Sequence, residues 1–390
     1  MKITVIASDY PYEGHQSYIF VEQLVKSMID QGHDVTVVTS QNIIRVLLGR
    51  RKSFPKNSFS YTNKGTKYQI YRPYYISLGQ RLPLLRKILD RIRSIIITNV
   101  VKKIDTDVIY CHFWDSALLI KDYVNKKHIP LFVACGEGDN ALEEMVDDLG
   151  EEGVRSIKGL VSGVISVSSE NKRKCVEYGL VDDNRVTIQP NCVDTTLFHK
   201  QDEVSLKRTL GIESGDFTVA FVGGFIPRKG PDRLAKAITK LNDSNLKSIF
   251  IGKAFDGYKY DFGCKGIVYK GTAGHNEIPH YLNCADIFVL PTQKEGCCNS
   301  IVEALACGLP VISSNQSFND DILDELNSIR IDVDDVDEIS KAIKTLRDDR
   351  ELREKMANTS ISRNHLYSID ERAKRIILFM SQMLQKKYAD

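Results

Sequence analysis

The chain alternates short apolar runs with helical stretches, and this alternation is its most constraining feature. Residues 2–7 and 34–39 read as buried strands, and a helix with one apolar face is predicted between them over about 17–31. Two strands joined through a helix pair in parallel, because a parallel connection has to cross back over the sheet. Further strands of this first series are predicted over 107–111, 130–135, 163–167 and 185–189. The first half of the chain is therefore predicted to form a doubly wound α/β domain.

A second series of the same kind begins near residue 216. The 390 residues exceed what one hydrophobic core comfortably serves, so two domains joined near residues 194–215 are expected. Ligands of such sheets bind beyond the carboxyl ends of the strands, so the loops after strands are candidate sites. The predicted strands of the second series are 217–223, 247–252, 286–290 and 309–313, and its predicted helices are 231–241, 276–283, 300–307, 337–349 and 369–387.

Composition narrows the class of protein. The chain has 53 basic and 51 acidic residues and 42% hydrophobic residues, values that are ordinary for a globular protein. No apolar run approaches the length of about 18 residues that spans a bilayer, so no transmembrane segment is expected. The nine cysteines are scattered without a CxxC pair, which favours a reducing cytosolic environment over a disulfide framework or a structural zinc site.

The basic residues are concentrated in one segment. Residues 43–103 hold 15 Lys and Arg but a single acidic residue, Asp90, so the rest of the chain is net acidic. Within that segment, residues 84–103 have helical spacing, with an apolar face bordered by basic side chains. Basic amphipathic helices favour anionic membrane surfaces, and we expect peripheral attachment through 43–103. The alternative is that the apolar face packs on the sheet and the charges are merely solvated.

The most informative motif runs from residue 285 to 313 and reads as strand, polar loop, short helix and strand. The start of the helix, at Asn299 or Ser300, offers free backbone N–H groups that favour an anion such as phosphate. Glu295 and Glu303 flank this start, eight positions apart. Carboxylates beside an anion site are costly unless they accept hydrogen bonds from hydroxyls of the same ligand. The alternative is a capping box, in which Ser300 and Glu303 only cap the helix.

Two other local patterns were weighed. Cys297 and Cys298 fit a tight loop as small residues better than they fit a redox pair, because no partner motif supports redox chemistry. Asp332 and Asp334 match a D-x-D metal motif, but they precede a predicted helix, so Asp334 or Asp335 is expected to be its N-cap.

The stretch from Glu295 through Asn299 and Glu303 to Gly308-x-Pro310 resembles the E-x7-E signature of glycosyltransferase family 4. The resemblance implies the GT-B fold, with two Rossmann-like doubly wound domains facing across a cleft, and a retaining enzyme that uses nucleotide sugars. It implies that Glu295 contacts the donor sugar and that Glu303 binds the ribose hydroxyls. The residues implied to hold the sugar and phosphates through backbone amides are Gly296, Cys297, Cys298 and Asn299.

Other donor-side residues follow from the same resemblance. Gly223 and Gly224 come after a strand and resemble the family's phosphate loop, although the family often has Arg at the position of Gly224. Lys229 is implied to neutralise the leaving diphosphate, with Arg228 beside it. The remaining donor-side residues are Gly14, beneath the diphosphate, and Gly271 and Thr272, near the base.

The first domain is implied to hold the acceptor. His112 ends a strand where the family places a His beside the donor sugar, and Gly136, Glu137 and Asp139 resemble the loop that faces the acceptor. The predicted domains are an acceptor-side domain, 1–195, and a nucleotide-sugar domain, 210–365. The last helix, 366–390, is implied to cross back to the first domain.

The predicted function is transfer of a hexosyl unit from a nucleoside-diphosphate sugar to a hydroxyl of a glycan or lipid-linked acceptor, in cell-surface polysaccharide or glycolipid biosynthesis. We expect no metal and no other cofactor, no nucleic acid partner, and a cytoplasmic location at the inner face of the cell membrane. One alternative is a sugar-nucleotide epimerase or hydrolase of the same fold. Another is a non-catalytic nucleic-acid-binding protein that uses segment 43–103, although no nucleic-acid-binding motif is present.

Overall fold

The computed structural model describes residues 1–13, 15–48, 55–78, 83–138, 140–254 and 260–387. The chain forms two compact units. The first comprises Met1–Gln189 and the chain from Arg372 onward, and the second comprises Pro190–Glu371.

The first unit is built on a sheet of eight described strands. Their order is β10-β9-β8-β7-β1-β2-β5-β4, and every pair is parallel except β4 with β5. A separate parallel pair joins β3 and β6. The strands are β1 (Lys2–Ala7), β2 (Asp34–Thr39), β3 (Gln41–Asn42), β4 (Ser58–Tyr61), β5 (Lys67–Tyr71), β6 (Tyr74–Tyr75), β7 (Val108–His112), β8 (Leu131–Cys135), β9 (Val161–Ser166) and β10 (Val186–Ile188).

Helices cover this sheet and bury its central strands. Every residue of β7 and β8 is buried, which explains why these strands read as continuous apolar runs. The last helix of the chain belongs here, because Phe379 packs on Phe132 with their ring centroids 6.3 Å apart. The helices are α1 (Ile19–Asp30), α2 (Ile43–Leu47), α3 (Pro83–Val101), α4 (Trp114–Lys127), α5 (Ala141–Leu160) and α6 (Ser169–Glu177), together with the C-terminal helix, Ile369–Lys387.

The second unit contains a wholly parallel sheet of six described strands. Their order is β13-β12-β11-β14-β15-β16, so the chain reverses direction along the sheet between β11 and β14. Such a reversal is where ligands of doubly wound sheets bind. The strands are β11 (Phe217–Val222), β12 (Leu246–Ile251), β13 (Ile267–Gly271), β14 (Ile287–Leu290), β15 (Val311–Ser314) and β16 (Ser328–Ile331).

The helices of the second unit follow from local sequence signals. At the start of α8, Gly230 adopts φ +71° and Pro231 occupies the first helical position, where its missing N–H is not needed. A Cβ on Gly230 would lie 2.7 Å from the carbonyl oxygen of Pro291, so only glycine fits there. The helices are α7 (Val204–Thr209), α8 (Pro231–Leu241), α9 (Ile278–Asn283), α10 (Asn299–Ala306), α11 (Val336–Asp348) and α12 (Arg350–Ser362), and the C-terminal helix is α13.

Most predicted elements have their counterparts in the structure. The bounds of β2, α8 and α13 coincide with the prediction, and most others differ by one to three residues. The analysis missed the β4–β5 hairpin, β13, β16 and α12 as separate elements. β13 is an edge strand of partly exposed residues, so it lacks the apolar run or clean alternation by which the other strands were recognised.

None of the described helices combines the length and the apolar character that crossing a membrane requires.

Candidate active site

The loop between β14 and α10 is the centre of the candidate site in the second unit. β14 is completely buried and ends at Leu290, and α10 begins at Asn299 with almost every residue buried. The loop thus lies between the carboxyl end of a central parallel strand and the amino end of a helix. The first N–H groups of a helix have no partner within it, so this end can bind an anion.

Glu295, in this loop, accepts three hydrogen bonds on one oxygen. Its Oε1 lies 2.6 Å from Nζ of Lys229, 2.9 Å from Nη1 of Arg228 and 2.8 Å from Oγ1 of Thr292. Arg228 also donates to the carbonyl oxygen of Lys294. Both basic residues lie on a 3-10 turn, Pro227–Lys229, that follows β11. The structure therefore brings Arg228, Lys229 and Glu295 together, and Arg228 is not simply solvated.

Lys229 remains a cation in this environment. Burial disfavours its charge, but Cys298 and Glu295 outweigh that effect and raise its pKa above the ordinary value. Nζ lies 3.5 Å from Sγ of Cys298. The site thus holds two cations around one carboxylate, which leaves an excess positive charge for an anionic ligand.

Glu303 differs from Glu295 because its carboxylate is nearly buried and accepts no hydrogen bond within the described part of the chain. It is 7% exposed. Burial raises its pKa to about 7, and Lys229 only partly opposes this shift. A buried carboxylate without a partner is costly, so a ligand that donates hydrogen bonds would satisfy it.

The capping-box alternative for Glu303 is wrong in register. A capping box joins the N-cap residue to the residue three positions later. The N-cap of α10 is Cys298, not Ser300, and its side chain makes no capping hydrogen bond. Ser300 lies inside the first turn, and its hydroxyl lies 3.3 Å from Sγ of Cys298.

Asn191 holds the loop in place, a role that the sequence analysis missed. Its Nδ2 donates to the carbonyl oxygen of Cys297 at 3.1 Å and to Oδ1 of Asn299 at 2.8 Å. Its backbone N–H contacts Sγ of Cys297 at 3.4 Å. Asn191 follows directly on the passage from the first unit to the second. The Gln-Pro-Asn sequence at 189–191 was noted only as part of the stretch before the linker, and nothing local to it indicates a contact more than 100 positions away.

The predicted glycines lie at the ends of neighbouring strands. Gly223 and Gly224 follow β11, and a Cβ on Gly224 would meet no atom closer than 4.0 Å, so the space beside it is open. Gly271 ends β13, and Thr272 follows, its carbonyl oxygen accepting a hydrogen bond from the hydroxyl of Tyr269 at 2.7 Å. Gly296 lies in the loop between Glu295 and α10.

His112 is the last residue of β7 in the first unit and is 3% exposed. Four aromatic rings surround its imidazole, with centroids between 4.6 and 6.3 Å away. Burial, together with Arg372, lowers its pKa to about 3. Its Nδ1 has no hydrogen-bond partner among the described residues. His112 is therefore a neutral imidazole with an unused polar atom. The surrounding rings are those of Tyr18, Phe20, Tyr110 and Phe113.

The turn after His112 is strained. Phe113 adopts φ +75° and ψ 157°, a conformation that side chains other than glycine rarely take. Glu137 supports this turn, because its carboxylate accepts from the backbone N–H of Trp114 at 2.8 Å and from that of Gly136 at 2.9 Å. Burial raises the pKa of Glu137 to about 6. Gly136 is crowded, since a Cβ there would lie 3.1 Å from Val167.

The other predicted site residues are quickly placed. Gly14 and Asp139 lie outside the described residues. His112, Gly136 and Glu137 belong to the first unit, whereas the predicted residues from Gly223 to Glu303 belong to the second. Within the described part of the chain, no group of three His, Cys, Asp or Glu side chains could hold a metal ion.

The D-x-D pattern has a structural explanation. Asp335 is the N-cap of α11, accepting from the backbone N–H groups of Asp337 at 2.8 Å and Glu338 at 3.1 Å. Asp332 accepts from the backbone N–H of Asp334 at 3.0 Å. The expected N-cap is confirmed. All nine cysteines are free thiols.

Comparison with known proteins identifies the family. The model of Glycosyltransferase Family 4 matches residues 19–197, and the model of Glycosyl transferases group 1 matches residues 202–363. The chain belongs to glycosyltransferase family 4. The predicted family and enzyme class are thereby confirmed.

Two relatives illustrate the range of this family 4 chain. It is 30% identical over 203 residues to the UDP-Gal:alpha-D-GlcNAc-diphosphoundecaprenol alpha-1,3-galactosyltransferase of Escherichia coli, covering 48% of this chain and 52% of that one. It is 24% identical over 328 residues to the protein named teichuronic acid biosynthesis glycosyltransferase TuaC of Bacillus subtilis, covering 81% of each chain. The chain thus spans about half the length of several curated relatives it matches.

Solved structures show the fold of this family 4 chain. HepE of Anabaena in complex with UDP has a TM-score of 0.75 at 16% identity and covers 98% of this chain and 100% of that one. Sucrose-phosphate synthase from Thermosynechococcus elongatus has a TM-score of 0.74 at 16% identity, covering 100% of this chain and 99% of the other. The α/β architecture with parallel sheets is that of GT-B glycosyltransferases, as predicted.

Proposed function

We propose that the protein transfers a hexosyl unit, with retention, from a UDP or GDP sugar to a hydroxyl of a glycan or lipid-linked acceptor. The observation that carries the proposal is the pairing of two different carboxylates around one helix start. Glu295 is held by two cations, whereas Glu303 is buried without a partner. A nucleoside diphosphate sugar supplies what both need, since its phosphates bind cations and its ribose hydroxyls donate hydrogen bonds.

The proposed roles follow from these contacts. Lys229 and Arg228 stabilise the charge of the leaving diphosphate together with the first N–H groups of α10, which is electrostatic catalysis by the chain itself, and no metal or other cofactor is invoked. Glu303 binds the ribose, and Glu295 orients the donor sugar. His112, Gly136, Glu137 and Asp139 serve the acceptor side, and Gly14 lies beneath the diphosphate.

The relatives support the choice of substrates. HepE is described in complexes with UDP and with UDP-glucose. The name of the Escherichia coli relative includes a sugar linked to diphosphoundecaprenol, and the name of the Bacillus relative includes a cell-surface polysaccharide. We infer that the present protein builds such a surface glycan or glycolipid from the cytoplasmic face of the cell membrane.

The test is binding of nucleotide sugars. A thermal-shift panel of UDP and GDP sugars should contain at least one that stabilises the wild-type protein, because a ligand of the folded state raises stability as RT ln(1 + [L]/Kd). Glu303→Ala should lose that stabilisation, whereas Glu325→Ala, which alters an exposed carboxylate in the same unit, should keep it. Absence of a shift with every donor would overturn the proposal.

A further inference from the structure

Exposed apolar side chains are concentrated in the basic segment of the first unit. Of the fifteen large apolar side chains that are exposed in the described residues, ten lie between Leu47 and Ile95. Concentrated exposure of this kind marks an interaction surface, whereas single exposed residues need no explanation. The ten are Leu47, Leu48, Phe59, Tyr61, Tyr74, Ile76, Leu78, Ile88, Ile92 and Ile95.

Helix α3 divides its apolar residues between two faces. Ile88, Ile92 and Ile95 are 58%, 46% and 55% exposed, and their spacing of four and three residues places them on one stripe. Ile97 and Val101 are buried and anchor the other face to the core. The sequence alternatives were a helix packed on the sheet and a helix facing a membrane, and this helix has one face for each.

Basic residues accompany the exposed stripe. Lys87 and Arg91 are exposed beside the isoleucines and form no ion pair with any described residue. Two other arginines of the helix are engaged within the protein. Arg86 lies 2.6 Å from Asp148, and Arg93 donates to Ser40 at 2.9 Å. Positive charge therefore remains available next to the isoleucines.

Hydrogen bonds connect α3 with the exposed residues of α2 and β6. The side chain of Asn42 caps α2 and bonds both backbone groups of Ser77, at 3.1 and 3.2 Å. The guanidinium of Arg93 lies over the ring of Tyr75, 4.3 Å from its centroid. These contacts hold α2, the residues after β6, and α3 in one framework.

We propose that the stripe of Ile88, Ile92 and Ile95, with Lys87 and Arg91, docks on an anionic lipid bilayer. Leu47 and Leu48 on the neighbouring α2 extend this docking surface. Apolar side chains enter the boundary between headgroups and acyl chains, while the basic side chains bind acidic headgroups. The benefit of docking, access to a lipid-linked acceptor, rests on the proposed function, but the binding itself does not.

Charge and exposure favour a bilayer over two other occupants. A second copy of the chain would set like charges against each other on this segment. A nucleic acid would need exposed rings for stacking. Tyr68 is 5% exposed and Tyr75 lies beneath Arg93, so part of the aromatic set counted in the sequence is not available.

The test is flotation of the full chain with vesicles of phosphatidylcholine alone or mixed with phosphatidylglycerol, at low and high salt. Wild type should float with the anionic vesicles and do so less at high salt. Ile88→Ser/Ile92→Ser/Ile95→Ser should reduce the bound fraction at least tenfold. Lys87→Gln/Arg91→Gln should weaken binding about 20-fold, since each basic residue contributes about fivefold near an anionic surface.

Matched variants in other parts of the chain serve as controls. Val204→Ser/Leu378→Ser removes equally exposed apolar groups, and Lys341→Gln/Lys355→Gln removes two exposed charges; both should float like wild type. Unchanged melting temperature and UDP binding in the α3 variants would exclude misfolding and keep this test separate from that of the proposed function. Equal flotation of wild type on both lipids, none on either, a dimer lost in the isoleucine variant, or salt-sensitive oligonucleotide binding instead would overturn the inference.

Discussion

Nζ of Lys229 lies 2.6 Å from Oε1 of Glu295, and both side chains are largely buried. Arg228 shares the same oxygen at 2.9 Å. In the proposed reaction the diphosphate competes with Glu295 for these cations. The pair is therefore both a structural link between two loops and the place where donor binding has to act.

Lys229→Ala should lower kcat about 100- to 1,000-fold, the range found when a preorganised donor to a developing charge is removed. Arg228→Ala should have a smaller effect, because its side chain is 32% exposed and solvent screens it. Steady-state kinetics with a saturating donor measures both. Lys236→Ala, on an exposed face of α8, is the control and should behave as wild type.

Glu295→Gln should lower kcat at least tenfold but should not weaken UDP binding. The substitution removes the carboxylate that competes for Lys229 and Arg228, so the affinity for UDP should rise a few-fold. Calorimetric titration with UDP, beside turnover measurements, separates the two effects. A parallel loss of UDP affinity and turnover would show that Glu295 merely supports the loop.

Glu303→Gln should stabilise the ligand-free protein at high pH. A folded-state pKa of about 7, above the unfolded value, means that the charged carboxylate disfavours folding. This cost is absent below about pH 4.5, grows up to about pH 7 and is complete above it, reaching about 3 kcal/mol. Unfolding curves of wild type and variant should therefore coincide at pH 4.5 and diverge by pH 8.

Two comparisons sharpen the Glu303 measurement. Glu325→Gln, at an exposed position, should give no such divergence. If Glu303 acted as a helix cap, its replacement would instead destabilise the protein by about 1 kcal/mol.

His112→Ala should reduce transfer while leaving UDP affinity unchanged, because His112 belongs to the first unit and the predicted UDP contacts belong to the second. Its pKa of about 3 means that the imidazole stays neutral at any pH near neutrality. Nitrogen NMR of the histidines, with His112→Gln for assignment, should show no titration of this ring between pH 5 and 8. Titration in that range would mean that His112 is more solvated than the structure has it.

Asn191→Ala should loosen the loop that carries Glu295. It leaves the carbonyl oxygen of Cys297 and the side chain of Asn299 without their donor, which costs about 1–3 kcal/mol of stability. Donor affinity should fall about tenfold as the helix start becomes less ordered. Asn245→Ala, an exposed asparagine of the same unit, should change neither the melting temperature nor the affinity.

The site could be anticipated only in part from the sequence. The loop from Glu295 to Glu303 is contiguous, so its spacing and the helix that follows it could be read directly. Asn191 could not, because its contacts with Cys297 and Asn299 cross more than 100 positions. The roles of Glu295 and Glu303 looked equivalent in sequence, yet one carboxylate has three partners and the other has none among the described residues.

The sequence by itself determined the two series of parallel strands, the helix boundaries at Pro231 and Asp335, and the concentration of basic residues in 43–103. Each of these depends on neighbouring residues, through apolar periodicity, proline and capping geometry, and simple charge counting. Only the tertiary structure decided which oxygen Lys229 contacts, that Glu303 is buried, and that Ile88, Ile92 and Ile95 face outward while Ile97 faces the core. Burial and pairing depend on what distant segments bring to the same place, and a periodic pattern does not specify that partner.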